Sequence, residues 1–456
     1  MLSVCSVSRS SVRHSAVMCP TLPPLLPLLL LLLSAGPGCL SERPLLVLLI
    51  DGFRYDYTQN LTRLPAFQEL LSAGVKVDYT TPDFPSLSYP NYYTLMTGRH
   101  CDVHQMTGNY MWDQSSNKEF LIGTNQDSRL PLWWDGSEPL WVTMMKLKKK
   151  VFMYYWPGCE VEILGVQPSF CQVYHSSPSQ QNFTDSMVSA VSVLSSGQAD
   201  MAAIYYEDVD VMGHRFGPES AEVRRAVEQV DQVLQILLSQ IKENHMEERL
   251  NIVLFSDHGM TNVQLMEKVI ELDKFVNMSD VLKMMDRGAV VSVWPQDGKH
   301  RELFEALTLI PNMTVYDRQQ IPERFHYKGG RFVSPLTLVA DPGWFIVKNK
   351  QSLPSWQNGS AGRYNGWHGY DNQFPDMRGF FMASGPDFKR NHQGTAIGTV
   401  DVYNLLCWTL GIEPLPNNGS WSQVKNLLRD SDPSQPAALW TCSVCLLGII
   451  IIGLWE

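Results

Sequence analysis

The sequence holds little cysteine, no internal repeat, no low-complexity linker and no surplus of positive charge. Nine cysteines in 456 residues are too few for a disulfide scaffold, and a chain that is 44% hydrophobic can build a core without one. No clustered CxxC set is present, which argues against a structural thiolate metal site. Thirty-six Lys and Arg stand against 46 Asp and Glu, a net charge of −10. A nucleic acid or an anionic lipid surface is therefore not expected as main partner, since both demand clustered cations. The length fits one large α/β domain or two medium ones.

Both ends carry address-like segments. Arg9, Arg13 and His14 precede a leucine block, Leu25 to Leu33, and the small residues Ser34-Ala35-Gly36. This is the order of a secretory signal, and residues 1–38 are expected to be removed. The rival reading, a retained signal anchor, is disfavoured because the apolar block is short for a membrane span. At the other end an apolar run from Ala437 to Trp455 follows the small polar stretch Asp430 to Ser434, with no Lys or Arg beyond it. That order fits a glycosylphosphatidylinositol signal over residues 429–456, with attachment at Ser431, better than a one-pass helix with a basic cytoplasmic flank. The expected catalytic domain is then 39–428, on the outer face of the cell membrane. Sequons at Asn60, Asn182, Asn277, Asn312, Asn358 and Asn418 suit an extracellular chain. In that oxidising setting Cys159 and Cys171, flanking a short loop, are expected to pair. Cys101 and Cys407 could pair or remain buried thiols.

The mature region alternates short apolar runs with helical patterns, as in an α/β sandwich with a mainly parallel sheet. Pro44 to Ile50 is uniformly apolar, the mark of a strand buried on both faces. Val151 to Tyr155, Met201 to Tyr206, Asn251 to Phe255, Val290 to Trp294 and Phe380 to Ala383 are further candidate strands. Val223, Ala226, Val227, Val230, Val233, Leu234, Leu237, Leu238 and Ile241 repeat at three and four, which predicts a helix with Pro218 in its first turn.

Acidic and imidazole groups stand just past several strand ends. Asp51 follows the first run. Asp210 and His214 follow Ala-Ala-Ile-Tyr-Tyr-Glu, Asp257 and His258 follow Asn-Ile-Val-Leu-Phe-Ser, and His368 lies in Gly-Trp-His-Gly-Tyr. Each alone reads as a turn former or a satisfied histidine. Because ligands collect at the carboxyl ends of such strands, all six together predict one rim. Three carboxylates there would repel one another, and divalent metal resolves the conflict. Mixed imidazole and carboxylate suits zinc, and six ligands suffice for two zinc ions. Ser88, in Phe-Pro-Ser-Leu-Ser-Tyr-Pro-Asn before a helical run Tyr92 to Met96, is the candidate nucleophile, since a helix N-terminus favours phosphate. Its bland alternative is a capping residue.

These segments, with Gly-Asn109-Tyr, resemble the ectonucleotide pyrophosphatase/phosphodiesterase family of the alkaline-phosphatase superfamily, in family order from residue 45 to about 415. The resemblance implies an alkaline-phosphatase-like α/β sandwich with helices flanking the sheet. It places Asp210, His214 and His368 on one zinc, and Asp51, Asp257, His258 and the Ser88 oxygen on the other. Asn109 would donate to a phosphate oxygen. Most of the family uses Thr as nucleophile, and Ser88 points to its choline-specific glycerophosphodiesterase branch. That branch releases phosphocholine from glycerophosphocholine and lysophosphatidylcholine through a phosphoserine intermediate. Its disulfide-linked dimer depends on a late Cys, and Ser-Gln-Val-Lys-Asn426-Leu here has none, so a monomer or a non-covalent dimer is expected. A quaternary ammonium is recognised by aromatic faces and a carboxylate. Leu87, Tyr155, Trp156 and Tyr205 are candidates for that wall, with Glu160 or Glu162 for the charge. The rivals are a nucleotide pyrophosphatase or general phosphodiesterase on the same site, and an inactive cell-surface binding protein. A sulfatase is disfavoured because Tyr92 stands where its motif needs Arg.

Overall fold

Six apolar residues in a row leave a strand no polar face, and strand β1, Leu45–Ile50, is buried along its whole length. It is the centre of a computed structural model that describes residues 43–354 and 365–429. The other strands of its sheet are β2 (Gly74–Val77), β3 (Val151–Tyr154), β4 (Phe170–Gln172), β5 (Met201–Tyr206), β6 (Asn251–Phe255), β7 (Phe381–Ser384) and β8 (His392–Gly394). They lie in the order β8-β2-β7-β6-β1-β5-β3-β4. From β6 to β4 every pairing is parallel, and β8 also runs parallel to β2. Strand β7 is antiparallel to both of its neighbours. The sheet is thus mainly parallel, with helices flanking it as expected of an alkaline-phosphatase-like fold.

Six helices matter here: α1 (Pro65–Ala73), α2 (Ser88–Thr97), α3 (Gln180–Ser195), α4 (Asp208–Phe216), α5 (Ala221–Glu243) and α6 (Thr399–Thr409). The apolar stripe of α5 packs on α1, α3 and α4, while α6 packs on α2. Pro218 is not in the first turn of α5. Ser220 is the cap, its side chain accepting from Val223 N at 3.2 Å, because a hydroxyl can satisfy the open amides of a first turn.

Two strand expectations need correction. Val290–Pro295 is a strand, but not of the central sheet. It belongs to an antiparallel sheet with Val281–Met285, Leu336–Ala340 and Met313–Asp317, which has its own apolar cluster. Tyr155 lies beyond β3 with φ of 58°, outside the extended region that a strand requires.

Cys159 and Cys171 are bonded, and Cys101 and Cys407 are separate buried thiols. Asn60, Asn182, Asn277 and Asn418 are exposed and Asn312 is half-buried. The segment 1–38, Asn358 and Ser431 lie outside the described residues. Among the described residues no helix is long and apolar enough to cross a membrane.

Candidate active site

Register brings the site together. Leu45 pairs with both Met201 and Asn251, so β5, β1 and β6 start level and end within one residue of one another. Adjacent strands sit about 4.8 Å apart. Whatever follows Ile50, Tyr206 and Phe255 therefore meets at one rim. Asp51 follows β1 directly. Helix α4 starts two residues after β5 and presents Asp210 and His214 on one face, four residues apart. Asp257 and His258 follow β6. The short strand Thr261–Asn262 then pairs with Gly366–Trp367, which draws His368 in beside them.

The three imidazoles are held alike. His214 Nδ1 donates to Gly366 O at 2.9 Å, His258 Nδ1 to Gly259 O at 2.8 Å and His368 Nδ1 to Ser86 O at 3.0 Å. Each ring thereby turns Nε2 into the site. His214 Nε2 lies 3.3 Å from Asp210 Oδ2, and His368 Nε2 lies 3.8 Å from Asp210 Oδ1. His258 Nε2 lies 3.1 Å from Asp257 Oδ2 and 3.4 Å from Asp51 Oδ1. The His258 and His368 rings stack at 3.6 Å.

Ser88 is the first residue of α2, which starts four residues earlier than its apolar run suggests. Its Oγ is 3.1 Å from His258 Nε2. Asn109 Oδ1 accepts from the backbone N–H of Tyr89 at 3.0 Å, which leaves its amide nitrogen as the donor end beside the nucleophile. Gly52, at φ of 63°, completes the packing, since a Cβ there would stand 2.6 Å from Asp210 Oδ1.

One carboxylate oxygen of each aspartate is buried without a hydrogen bond: Asp51 Oδ1, Asp210 Oδ1 and Asp257 Oδ2. Burial first, then repulsion from Asp257 and Asp210, holds the Asp51 carboxyl well above its ordinary range, against hydrogen bonds from Tyr205 and Tyr92. Burial also raises Asp210, opposed by His214 and His258. His368 is pushed well below its usual value by burial and by the other two histidines. Burial pulls His258 down, yet the nearby charges of Asp257 and Asp210 hold it above normal. Uncompensated carboxylates, orphaned oxygens and oriented Nε2 atoms together fit a divalent cation. Asp210, His214 and His368 form one group within reach of a single ion, and Asp51, Asp210 and His258 another. Asp210 touches both groups, which spacing along the chain does not reveal.

The expected cation wall is only partly assembled. Tyr205 is in the site, its hydroxyl donating to Asp51 Oδ2 at 2.5 Å with Glu207 Oε2 2.8 Å away. Leu87 caps α2 and abuts Gly369. Glu160 has a buried oxygen without a hydrogen bond, and its charge adds to burial in raising the Tyr89 phenol. Trp156 is fully buried and packs edge-on against Phe255, and the Tyr155 hydroxyl accepts from Gln172 at 2.8 Å. These two are core and strand-end residues, because their rings are already covered. Tyr92, Tyr174 and Glu207 were not expected in the site. Tyr92 also donates to Asp51, and Tyr174 donates to Glu207 at 2.7 Å. The one sequence signal for Glu207 is its place at the end of the strand that delivers Asp210.

The fold and this rim define a phosphoester hydrolase of the alkaline-phosphatase-like architecture. Within that class the chain belongs to the ectonucleotide pyrophosphatase/phosphodiesterase family. Residues 45–371 match the family of Type I phosphodiesterases / nucleotide pyrophosphatases. The human ectonucleotide pyrophosphatase/phosphodiesterase family member 5 is 34% identical over 397 residues, 86% of this chain and 80% of that one. The Bos taurus bis(5'-adenosyl)-triphosphatase is 35% identical over 415 residues, 88% and 87% of the two chains. The solved human family member 5 superposes with a TM-score of 0.79 at 34% identity, covering 85% of this chain and all of that one. A murine family member 5, solved as an inactive Thr-to-Ala variant in complex with AMP, gives 0.78 over the same coverage.

Proposed function

We propose that this protein cleaves phosphodiesters at Ser88 with two zinc ions. Asp210, His214 and His368 would hold one, and Asp51, Asp257, His258 and the Ser88 oxygen the other. Such ions would acidify the hydroxyl and offset charge on the phosphate oxygens. The observation that carries this reading is the ring of three orphaned carboxylate oxygens and three inward Nε2 atoms around one helix-terminal hydroxyl. Ser88 Oγ attacks phosphorus in line, an Oγ–P bond forms, and the bond to the leaving alcohol breaks. Water then cleaves the phosphoserine, which returns the hydroxyl. Asn109, pinned through Tyr89, donates to a phosphate oxygen. Ser88→Ala should abolish turnover and leave the far-ultraviolet circular dichroism unchanged. Full activity in that variant would remove Ser88 from the mechanism.

The names of the relatives favour nucleotide pyrophosphates or diesters as substrate. A second reading, choline phosphodiesters such as glycerophosphocholine and lysophosphatidylcholine, is favoured by Ser in place of Thr and by what surrounds it. Tyr89, Tyr174 and Tyr205 stand near Glu160 and Glu207, a mixture of aromatic faces and carboxylates that suits a quaternary ammonium. Rates on p-nitrophenylphosphocholine and p-nitrophenyl-TMP separate the two readings, and preference for the nucleotide defeats the choline one. We propose further that residues 1–38 are a removed signal, that 39–428 is the catalytic domain, and that a glycosylphosphatidylinositol anchor at Ser431 holds it outside the cell membrane.

A further inference from the structure

A phosphodiester carries two ester groups, so a site that grips one alcohol must also house the other. The tyrosines and glutamates near Tyr205 form one wall of the site. On a different side, a cleft of about 500 Å³ opens between the hairpin formed by Tyr110–Asp113 and Lys118–Leu121 and the edge strand Val281–Met285. Its lining shares no residue with the tyrosine wall. That volume is in the range of small-molecule sites.

Both walls of the cleft run into the catalytic rim. Tyr110 lines it and follows Asn109, which is bonded to the neighbour of Ser88. Arg287 lines the opposite wall and is followed by Gly288, which packs so closely on Trp367 that a Cβ would stand 2.2 Å from its ring nitrogen. Trp367 precedes His368. One residue step is about 3.8 Å, so each wall of the cleft is tied to the rim through a short piece of chain.

The lining is mixed: Leu121, Met278, Val281, Leu282, Met284 and Val347 give an adaptable apolar strip, bordered by Glu119, Asp286, Lys348 and Ser352. Unbranched thioethers fit irregular ligands without strain. Two of its three cations, Lys283 and Arg287, are already engaged. Lys283 pairs with Glu119 across the cleft, and the Arg287 guanidinium lies 5.3 Å from the Tyr110 ring centre. An alkyl chain would find apolar surface along the leucine, methionine and valine side chains. Leu282 remains 44% exposed at the mouth, an apolar edge with no covering element among the described residues.

We propose that this cleft takes the single apolar chain of a lysophospholipid-like leaving group, a subsite that rests on the choline-lipid reading above. The test uses zinc-loaded protein. Butyl, hexyl and octyl phosphocholine, all below micelle formation, are titrated against the Ser88→Ala variant by calorimetry. The dissociation constant should fall about 200-fold from butyl to octyl if all four added methylenes are buried. Leu282→Glu and Met284→Glu, each placed in that Ser88→Ala background, should flatten the trend. In the active protein the same two changes should leave kcat/KM for glycerophosphocholine, which has no chain, unchanged. A chain-length trend that is absent, or that survives both substitutions, overturns the proposal. So does concentration-dependent self-association that Leu282→Glu abolishes while the trend persists, since the cleft is then covered by a second copy. Failure of the underlying choline reading shows separately, as an active nucleotide hydrolase that leaves glycerophosphocholine intact.

Discussion

Asp51 is the residue where the costs of this site concentrate. One of its oxygens accepts hydroxyl hydrogen bonds from Tyr92 and Tyr205, while the other is buried with none. Burial and two neighbouring aspartates raise its carboxyl well above the ordinary aspartate range. In metal-free protein the folded state therefore keeps a proton that the unfolded state releases. Stability from this group is present at low pH and lost as pH rises from about 4 toward the raised value, at about 1.4 kcal/mol for each pH unit crossed. Asp51→Asn removes that loss without removing the acceptor. In the presence of chelator, urea unfolding should show the variant more stable than the parent at pH 7.5, with a smaller gain at pH 4.5. With zinc in excess the same variant should be the less stable one, since a ligand is gone. A gain under chelator that shrinks as pH rises would mean that Asp51 is not under carboxylate repulsion. The ligand-type residues other than His368 were legible because they follow apolar runs, and His368 was legible only as part of a motif. Tyr92, Tyr174 and Glu207 were not, because their partners are fixed only by the sheet order.

Elements that interact with themselves were readable, and those defined by distant partners were not. The stripe of α5 follows its own periodicity, and all its expected core positions are buried except Leu238, which is half-buried. Strands β1, β5 and β6 declare themselves by continuous apolar runs, and their level register builds the rim. Strand β7 has the same composition but runs antiparallel, and Val290–Pro295 joins another sheet. Composition reports burial and carries no direction. Asp231 is the sharper case. It interrupts the apolar face of α5, yet it is 1% exposed. Its Oδ1 accepts from Phe67 N at 2.9 Å, in the first turn of α1, whose own cap residue offers no side chain. One helix thus caps another across 164 residues of chain. Asp231→Ala leaves a buried amide unsatisfied and should cost about 1–3 kcal/mol in urea unfolding, with kcat/KM nearly unchanged. A cost within experimental error would show that α1 needs no cap from α5.

At the scale of the whole molecule, both ends of the folded domain meet at one point. Arg43 pairs with the Asp387 carboxylate, and Arg429 N donates to Asp387 O at 2.9 Å. Asn251 ties that point to the start of β6, with its amide donating to Asp387 at 2.6 Å and its backbone N–H donating to Pro44 O at 3.0 Å. Asp387 therefore marks the amino ends of β1 and β6, while Ser88, Asp51 and His258 gather at their carboxyl ends. Six residues of strand separate the two edges, roughly 20 Å at about 3.3 Å each. An anchor attached shortly after Arg429 would hold the domain by the edge opposite its site. The rim would then work on substrates arriving from solution, such as monomeric lysolipids or soluble diesters, and not on lipids packed beneath the enzyme. Release should consequently cost nothing in catalysis. Treating intact cells with phosphatidylinositol-specific phospholipase C should move the activity into the medium, with kcat/KM for a soluble substrate within about two-fold of the anchored enzyme, because uniform positioning at a distant edge leaves the reacting groups untouched. Activity that stays with the cells would exclude the lipid anchor. A ten-fold change on release would instead place the rim against the membrane, which an attachment beside Asp387 does not allow.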